Sequence, residues 1–474
     1  MRVCLLNDSF PPVIDGVANT VMNYAAILTE KKLADVQVAT PRYPGADYSG
    51  YPYEVVPFSS FSIGNLIEGY RAGNPLDIPA IGQLAGAEPD IIHTHCPVVS
   101  TIMARSLRIR TKAPVIFTYH TKFDVDIAHA IKNHLIQKEA VRVLVENISA
   151  CDEVWAVSAG AGENLKSLGY EGDYRVVENG VDFPKGRASR EQIHEAVKDY
   201  DLPEGVPLFL YVGRLMTYKG LPMILDALRI MRDDGQDFRM VFIGGGVDEE
   251  EIRQTSEEYR LTDKVFFTGP IRDRQILRAW NTRADLFLFP STYDTNGIVV
   301  REAAACGLAS VLIRNSCAAE GITNGRNGFF IDERAESLAR LLEELGGDLN
   351  RMRDAGEHAM NEIYVSWEQS VMHAYDLYGE VLEKKAAGAY LNRWQQRMGT
   401  FRETAESRIE RLRQAEERLR ITLNGLGRVP ATLSEGMADN MQQFKDGVKR
   451  AGSEAGKIGL NAWTYAKEIL YGDD

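Results

Sequence analysis

Long apolar runs are missing from this chain of 474 residues, and none reaches the ~18 apolar residues that a membrane-spanning helix needs. Cysteine is scarce. Cys4, Cys96, Cys151, Cys306 and Cys317 are odd in number, widely spaced and mostly set in apolar runs, which argues against a disulfide framework and for a reducing compartment. An excess of positive charge is lacking too: the formal net charge is −13, whereas duplex binding needs a Lys/Arg surface, so nucleic acid is not an expected partner. The opening Met1-Arg2-Val3-Cys4-Leu5-Leu6-Asn7-Asp8 turns polar after four apolar residues, too few for a signal-peptide core. The expected location is cytoplasmic, with peripheral contact at the inner face of the plasma membrane left open.

What is present describes a folded protein. Hydrophobic residues at 45% and charged residues at 26% match soluble globular chains and leave no room for a mostly disordered one. The length exceeds one ordinary core, so two domains and an appendage are expected. Residues 388–474 carry 14 Lys and Arg against 12 Asp and Glu, leaving 40 against 55 in residues 1–387, so an acidic body bears a mildly basic tail.

Short apolar runs alternate with amphipathic stretches. Strands are expected at Val3–Leu6, Val36–Ala39, Ile91–His93, Val115–Thr118, Val154–Val157 and Tyr174–Val177, giving a Rossmann-like domain over residues 1–182. Residues 183–205, polar and holding Pro184 and Pro203, read as a linker. The alternation then restarts at Leu208–Val212, Met240–Ile243, Val265–Thr268, Leu286–Phe289 and Ser310–Ile313, a second Rossmann-like domain over residues 206–366. A closing or crossover helix is expected over residues 367–387. In residues 388–474, apolar positions from Trp394 to Leu423 and from Met441 to Ile469 recur at helical steps and read as an amphipathic helical tail able to form a hairpin, a dimer contact or an interfacial anchor.

Two clusters carry chemistry. Gly213-Arg214-Leu215-Met216-Thr217-Tyr218-Lys219-Gly220 follows a strand and opens a helix, and two cations beside a helix N-terminus suit a diphosphate whose charge grows as its glycosidic bond breaks. Pro290-Ser291-Thr292-Tyr293-Asp294-Thr295-Asn296-Gly297-Ile298 also links a strand to a helix, with Asp294 in the turn and Glu302 inside the helix. An N-cap Asp and a solvated Glu would be the bland reading of that pair. Asp15-Gly16-Val17-Ala18, Gly244-Gly245-Gly246, Phe267-Thr268-Gly269-Pro270 and Asn179-Gly180-Val181-Asp182 are weaker turn signals. His120, in Thr118-Tyr119-His120-Thr121-Lys122-Phe123, ends a strand. His93-Thr94-His95-Cys96 lacks a fourth metal ligand, and alternation along a strand sends neighbouring side chains to opposite faces, so no metal is expected there. Asp124-Val125-Asp126 is a weak carboxylate pair.

In these motifs residues 1–387 resemble the family-4 retaining glycosyltransferases, whose GT-B fold faces two Rossmann-like domains across a cleft. The resemblance implies an enzyme that uses a nucleotide diphosphate sugar as co-substrate, needs no metal and has no other cofactor. It implies that Arg214 and Lys219 grip the diphosphate, that Asp294 faces sugar hydroxyls, and that Asn296, Gly297 and Ile298 offer backbone N–H groups. Glu302 would bind the ribose, Gly16 and Gly245 would allow close backbone approach to the donor, and His120 would lie beside the transferred sugar. The family usually places Glu where this chain has Asp294, one methylene shorter.

Within the family, Phe10-Pro11-Pro12 to Ala18 and residues 118–131 look most like bacterial diacylglycerol glucosyltransferases, which implies UDP-glucose and a glycolipid product. Arg105, Arg108 and Lys112 form a basic stripe that could lie on anionic lipid, with Phe123 as a further acceptor-side or membrane contact. The partners expected are a nucleotide sugar, a lipid or saccharide acceptor, a membrane surface and, through the tail, a second copy of the chain. A polysaccharide or cell-wall glycosyltransferase, a sugar-nucleotide epimerase and a non-catalytic scaffold are the alternatives.

Overall fold

A computed structural model describes residues 1–62, 69–124, 127 and 134–390. The first domain is a seven-stranded sheet of parallel pairs, built from β1 (Arg2–Leu6), β2 (Asp35–Pro41), β3 (Glu54–Phe58), β4 (Ile91–Thr94), β5 (Val115–Tyr119), β6 (Glu153–Ala156) and β7 (Arg175–Val176) in the order β3-β2-β1-β4-β5-β6-β7. Helices α1 (Gly16–Glu30), α2 (Ile78–Gly86), α3 (Val99–Thr111), α4 (His134–Ser149) and α5 (Ala159–Ser167) connect most of these strands. The near-continuous apolar strands are buried because helices cover both faces of such a sheet.

The second domain repeats the plan, with helices α7 (Leu221–Asp233), α8 (Glu249–Glu258), α9 (Arg274–Arg283), α10 (Ile298–Ala305), α11 (Ala335–Gly346) and α12 (Leu349–Glu362). Its strands β8 (Leu208–Val212), β9 (Arg239–Ile243), β10 (Val265–Gly269), β11 (Leu286–Phe289), β12 (Ser310–Ile313) and β13 (Phe329–Ile331) lie in the order β10-β9-β8-β11-β12-β13, again parallel. Two doubly wound sheets, as expected, place loop residues at the carboxyl ends of their strands, where such folds bind ligands.

Three features depart from the reading of the sequence. Strand β3 was not expected: its Pro57 argues against a strand, yet β3 is the sheet edge, where a missing N–H is tolerated. Edge strand β13 has three residues, too few for a visible pattern. Residues 183–205 are not a bare linker. They contain helix α6 (Arg190–Val197), started by a Ser189/Gln192 capping box, and Tyr200 sets its ring edge-on to Phe266 and Trp280 of the second domain.

Helix α13 (Trp367–Ala386), with its own Ser366/Gln369 capping box, returns from the second domain to pack on α1. Tyr378 is buried, stacks on Trp155 of β6 and comes within 2.7 Å of His93 Nδ1. The crossing is made at Gly180, where an added Cβ would lie 2.3 Å from the Trp367 backbone, and Val181 N–H donates to the Val365 carbonyl. Asn179-Gly180-Val181-Asp182 therefore marks a close backbone contact. No helix among the described residues is long and apolar enough to cross a membrane. The helical tail read in residues 388–474 lies, from residue 391 onward, outside the described residues.

Candidate active site

Glycines decide how the two chemical loops of the second domain meet. Gly220 has φ +81, and a Cβ there would lie 2.3 Å from the Pro290 carbonyl oxygen. The bare backbone lets the Lys219 turn rest directly on the Ser291–Gly297 loop. Cβ atoms at Gly244 and Gly246 would meet the carbonyls of Gly213 and Leu215 at 1.9 and 2.1 Å, so the Gly244-Gly245-Gly246 turn packs backbone to backbone against the Arg214 loop. Gly245 accepts from Leu215 N–H, and the Asp248 carboxylate pins the turn by accepting from the Thr217 amide and hydroxyl.

The result is a compact cluster. Lys219 Nζ donates to Asp294 Oδ1 at 2.6 Å, and Ser291 Oγ donates to Asp294 Oδ2 at 2.6 Å. The Lys219 ammonium also lies 5.0 Å from the ring centre of Tyr293 and 5.6 Å from that of Tyr218, both favourable for a cation over an aromatic face. Lys219 is buried, whereas Arg214 is exposed. Helix α7 (Leu221–Asp233) starts immediately after this turn, with Pro in its first turn. Helix α10 (Ile298–Ala305) starts at Gly297, in the left-handed region at φ +59, with no capping side chain and no acidic residue in its first turn. Two helix N-termini and two cations can together stabilise several negative charges.

Glu302 lies inside α10 and is buried. Burial pushes its carboxyl above the ordinary range, opposed by Arg274, which donates from Nη2 at 2.6 Å. The Arg274 guanidinium stacks 4.3 Å from the Phe183 ring centre. Sequence reading did not single out Arg274; an Arg in the first turn of an amphipathic helix has no local mark of this contact.

The Ser291–Gly297 loop is fastened to the first domain. Thr295 Oγ1 donates to the His120 carbonyl at 2.6 Å, Ser158 Oγ donates to the Thr295 carbonyl at 2.5 Å, Asn296 Nδ2 donates to the Val157 carbonyl at 3.1 Å and Lys122 Nζ donates to the Thr292 carbonyl at 2.9 Å. Asn296 thus faces the first domain with its side chain, leaving its main chain at the helix start. Arg301, also missed from sequence, holds it there by donating to Asn296 Oδ1, and reaches Glu178 and the Ile363 carbonyl as well.

On the first domain, His120 ends β5 and is buried, with burial pushing its imidazole down to about 4. Its Nε2 lies 2.9 Å from His95 Nδ1. His93 and His95, two residues apart, share a face after all, with ring centres 4.1 Å apart. Both nitrogens of His93 are engaged, by Tyr378 and by Thr118 Oγ1. Among the described residues no group of three or more His, Cys, Asp or Glu is placed to hold a metal ion. Gly16 begins α1 beneath the Asp15 cap, which accepts from Val17 and Ala18 N–H and from the Tyr70 hydroxyl.

The proposed basic stripe does not face outward. Arg105 donates to Asn147 of α4, and Arg108, with 11% of its side chain exposed, donates to the Ala150 carbonyl and pairs with Asp152 at 3.3 Å. The helical spacing holds, but the shared face is the inner one, and only Lys112 of the three is exposed, bonded back to the Ile109 carbonyl. Phe123 packs edge-on against Tyr119. Asp124 receives Asn164 Nδ2, and Asp126 is outside the described residues.

Two family profiles match in the order of the domains: Glycosyltransferase Family 4 over residues 14–184 and Glycosyl transferases group 1 over residues 192–361. The chain is a family-4 glycosyltransferase of the GT-B fold. Among its relatives, the alpha-monoglucosyldiacylglycerol synthase of Streptococcus pneumoniae is 24% identical over 372 residues, covering 76% of this chain and 81% of that protein. The D-inositol 3-phosphate glycosyltransferase of Corynebacterium efficiens is 25% identical over 334 residues, covering 67% and 76%. The crystal structure of Anabaena Alr3699/HepE with UDP and glucose shares the fold, with a TM-score of 0.62 at 18% identity over 80% of this chain and 99% of that one. Against the family pattern, the Asp294 and Glu302 of this glycosyltransferase lie on one loop-and-helix unit, with Lys219 already on the first carboxylate.

Proposed function

We propose that the chain transfers glucose from UDP-glucose to diacylglycerol, or to a diacylglycerol that already carries a sugar, at the cytoplasmic membrane face and with retention at the anomeric carbon. The observation that carries the donor side is the Lys219–Asp294–Ser291 cluster at two helix starts, with exposed Arg214 in the loop that leads to it. Arg214, Lys219 and the N–H groups around Asn296, Gly297 and Ile298 neutralise the diphosphate. Asp294 takes sugar hydroxyls, Glu302 the ribose, and Gly16 and Gly245 give the donor close access to backbone. His120 lies beside the sugar. The C1–phosphate bond breaks as the acceptor oxygen bonds C1 on the same face, and the acceptor proton passes to the departing diphosphate. These residues supply the charge stabilisation through organic groups alone.

The acceptor reading is supported by likeness to the pneumococcal lipid enzyme. UDP is the first nucleotide to test because a protein of the same fold was solved with it. Likeness to the D-inositol 3-phosphate glycosyltransferases favours a second reading, a soluble polyol phosphate acceptor. Labelled UDP-glucose is supplied to the full chain with anionic vesicles containing diacylglycerol, and separately with inositol phosphate. Label in the lipid phase, reduced about 100-fold in Lys219→Ala, is expected. Label in the polyol instead overturns the lipid reading, and undiminished transfer by Lys219→Ala overturns the assignment of the site.

A further inference from the structure

His95 is enclosed by protein, 1% exposed, between the rings of His93, Tyr24 and His120. Its Nδ1 faces His120 Nε2 at 2.9 Å, while its Nε2 is buried with no hydrogen-bond partner. Burial and the neighbouring imidazoles hold His95 well below its ordinary range, and burial holds His120 at about 4, so at neutral pH each ring carries one proton. One hydrogen bond between two neutral imidazoles admits two arrangements. If His120 donated from Nε2, His95 would have to keep its proton on Nε2, as a buried N–H with no acceptor. If His95 donates from Nδ1, the orphaned atom is a bare lone pair. Among buried backbone groups an orphaned N–H is rarer than an under-satisfied acceptor, and the same desolvation argument favours the bare lone pair on His95.

We infer that His95 is a positioning residue that fixes the tautomer of His120, donating from Nδ1 to His120 Nε2 and so leaving the His120 proton on Nδ1. With Nε2 engaged by His95, Nδ1–H is the group of the ring left to meet a ligand. It is a donor suited to the lone pairs of a sugar or acceptor hydroxyl. His93 stands behind this arrangement, engaged at both nitrogens by Thr118 and by Tyr378 of the crossover helix. The inference rests on the proposed placement of His120 beside the sugar only for its effect on turnover; the tautomer follows from the packing.

The test is a long-range proton–nitrogen NMR correlation on the full chain carrying nitrogen-15 histidine, with the His120 ring assigned by substitution. A wild-type His120 protonated on Nδ1 is expected. His95→Asn keeps an N–H where Nδ1 stood and should preserve both the tautomer and most of the turnover. His95→Phe keeps the ring but no nitrogen; its His120 should populate both tautomers, with turnover lower by about 10- to 100-fold and the donor KM little changed. A wild-type His120 protonated on Nε2 overturns the inference without recourse to any variant. A tautomer shift in His95→Phe with unchanged turnover upholds the role of His95 and instead overturns the placement of His120 beside the sugar.

Discussion

Glu320 of the second domain accepts from the backbone N–H groups of Ala159 and Gly160 in the first, at 2.7 and 2.5 Å. Its carboxylate thus occupies the positive end of α5, where an anion is stabilised by ~0.3–1 kcal/mol beyond its hydrogen bonds. Gly160 is required for the approach, since a Cβ would meet Cys317 Sγ at 2.6 Å. Glu320→Ala should therefore loosen the two domains. The expected readings are a larger radius of gyration by small-angle scattering and a stability loss on the order of 1–2 kcal/mol. An unchanged scattering profile would show that the remaining interdomain bonds suffice.

Glu302 carries a stability cost at neutral pH. Burial raises its folded carboxyl above the unfolded 4.5 despite Arg274, so its contribution to folding is full below 4.5 and is lost as pH rises through the folded value. Glu302→Gln should melt at or above the wild type at pH 7, with the gap closing toward pH 4.5, while nucleotide affinity falls about tenfold as a charged hydrogen bond is lost. Calorimetry across that pH range, with UDP titration, checks both; a variant less stable at pH 7 would contradict the sign.

Gly220 and Gly245 should separate folding from binding. Gly220→Ala introduces a positive-φ alanine whose Cβ strikes Pro290, and should lose on the order of 2 kcal/mol or more together with the Lys219 turn. At Gly245 the nearest contacts to a Cβ are 3.5 and 3.8 Å, so Gly245→Ala should fold normally and weaken donor binding alone. Urea unfolding paired with donor binding distinguishes the two, and equal destabilisation would remove the distinction.

His120 should shape the acid limb of the stability curve. Its folded value of about 4 lies below the ordinary 6.5, so the unfolded chain takes up the proton first. Stability is present above 6.5 and is lost as pH falls toward 4. In His120→Asn the urea midpoint should fall less steeply over that window. A parallel fall in both proteins would show that this ring is not responsible.

Much of this was legible in the sequence, because strand-ending motifs fix their own geometry. Once Leu208–Val212 was a strand, Arg214 had to lie in the loop after it and Lys219 next to the start of the following helix, and Asp294 had to lie in a turn after Leu286–Phe289. What could not be read were partners distant along the chain. Arg108 looked like a surface cation because Asp152 lies 44 residues away, and nothing local to Glu320 marks the α5 terminus as its target. The His93–His95 pairing was within reach of strand alternation, since residues two apart fall on the same side.

Among the bonds that fasten the Ser291–Gly297 loop to the first domain, those of Thr295 and Asn296 end on the carbonyl oxygens of His120 and Val157, which every amino acid possesses. Replacing the side chain at His120 or Val157 therefore leaves an acceptor in place for each bond, whereas the bonds given by Ser158 and Lys122 depend on the residue that stands there.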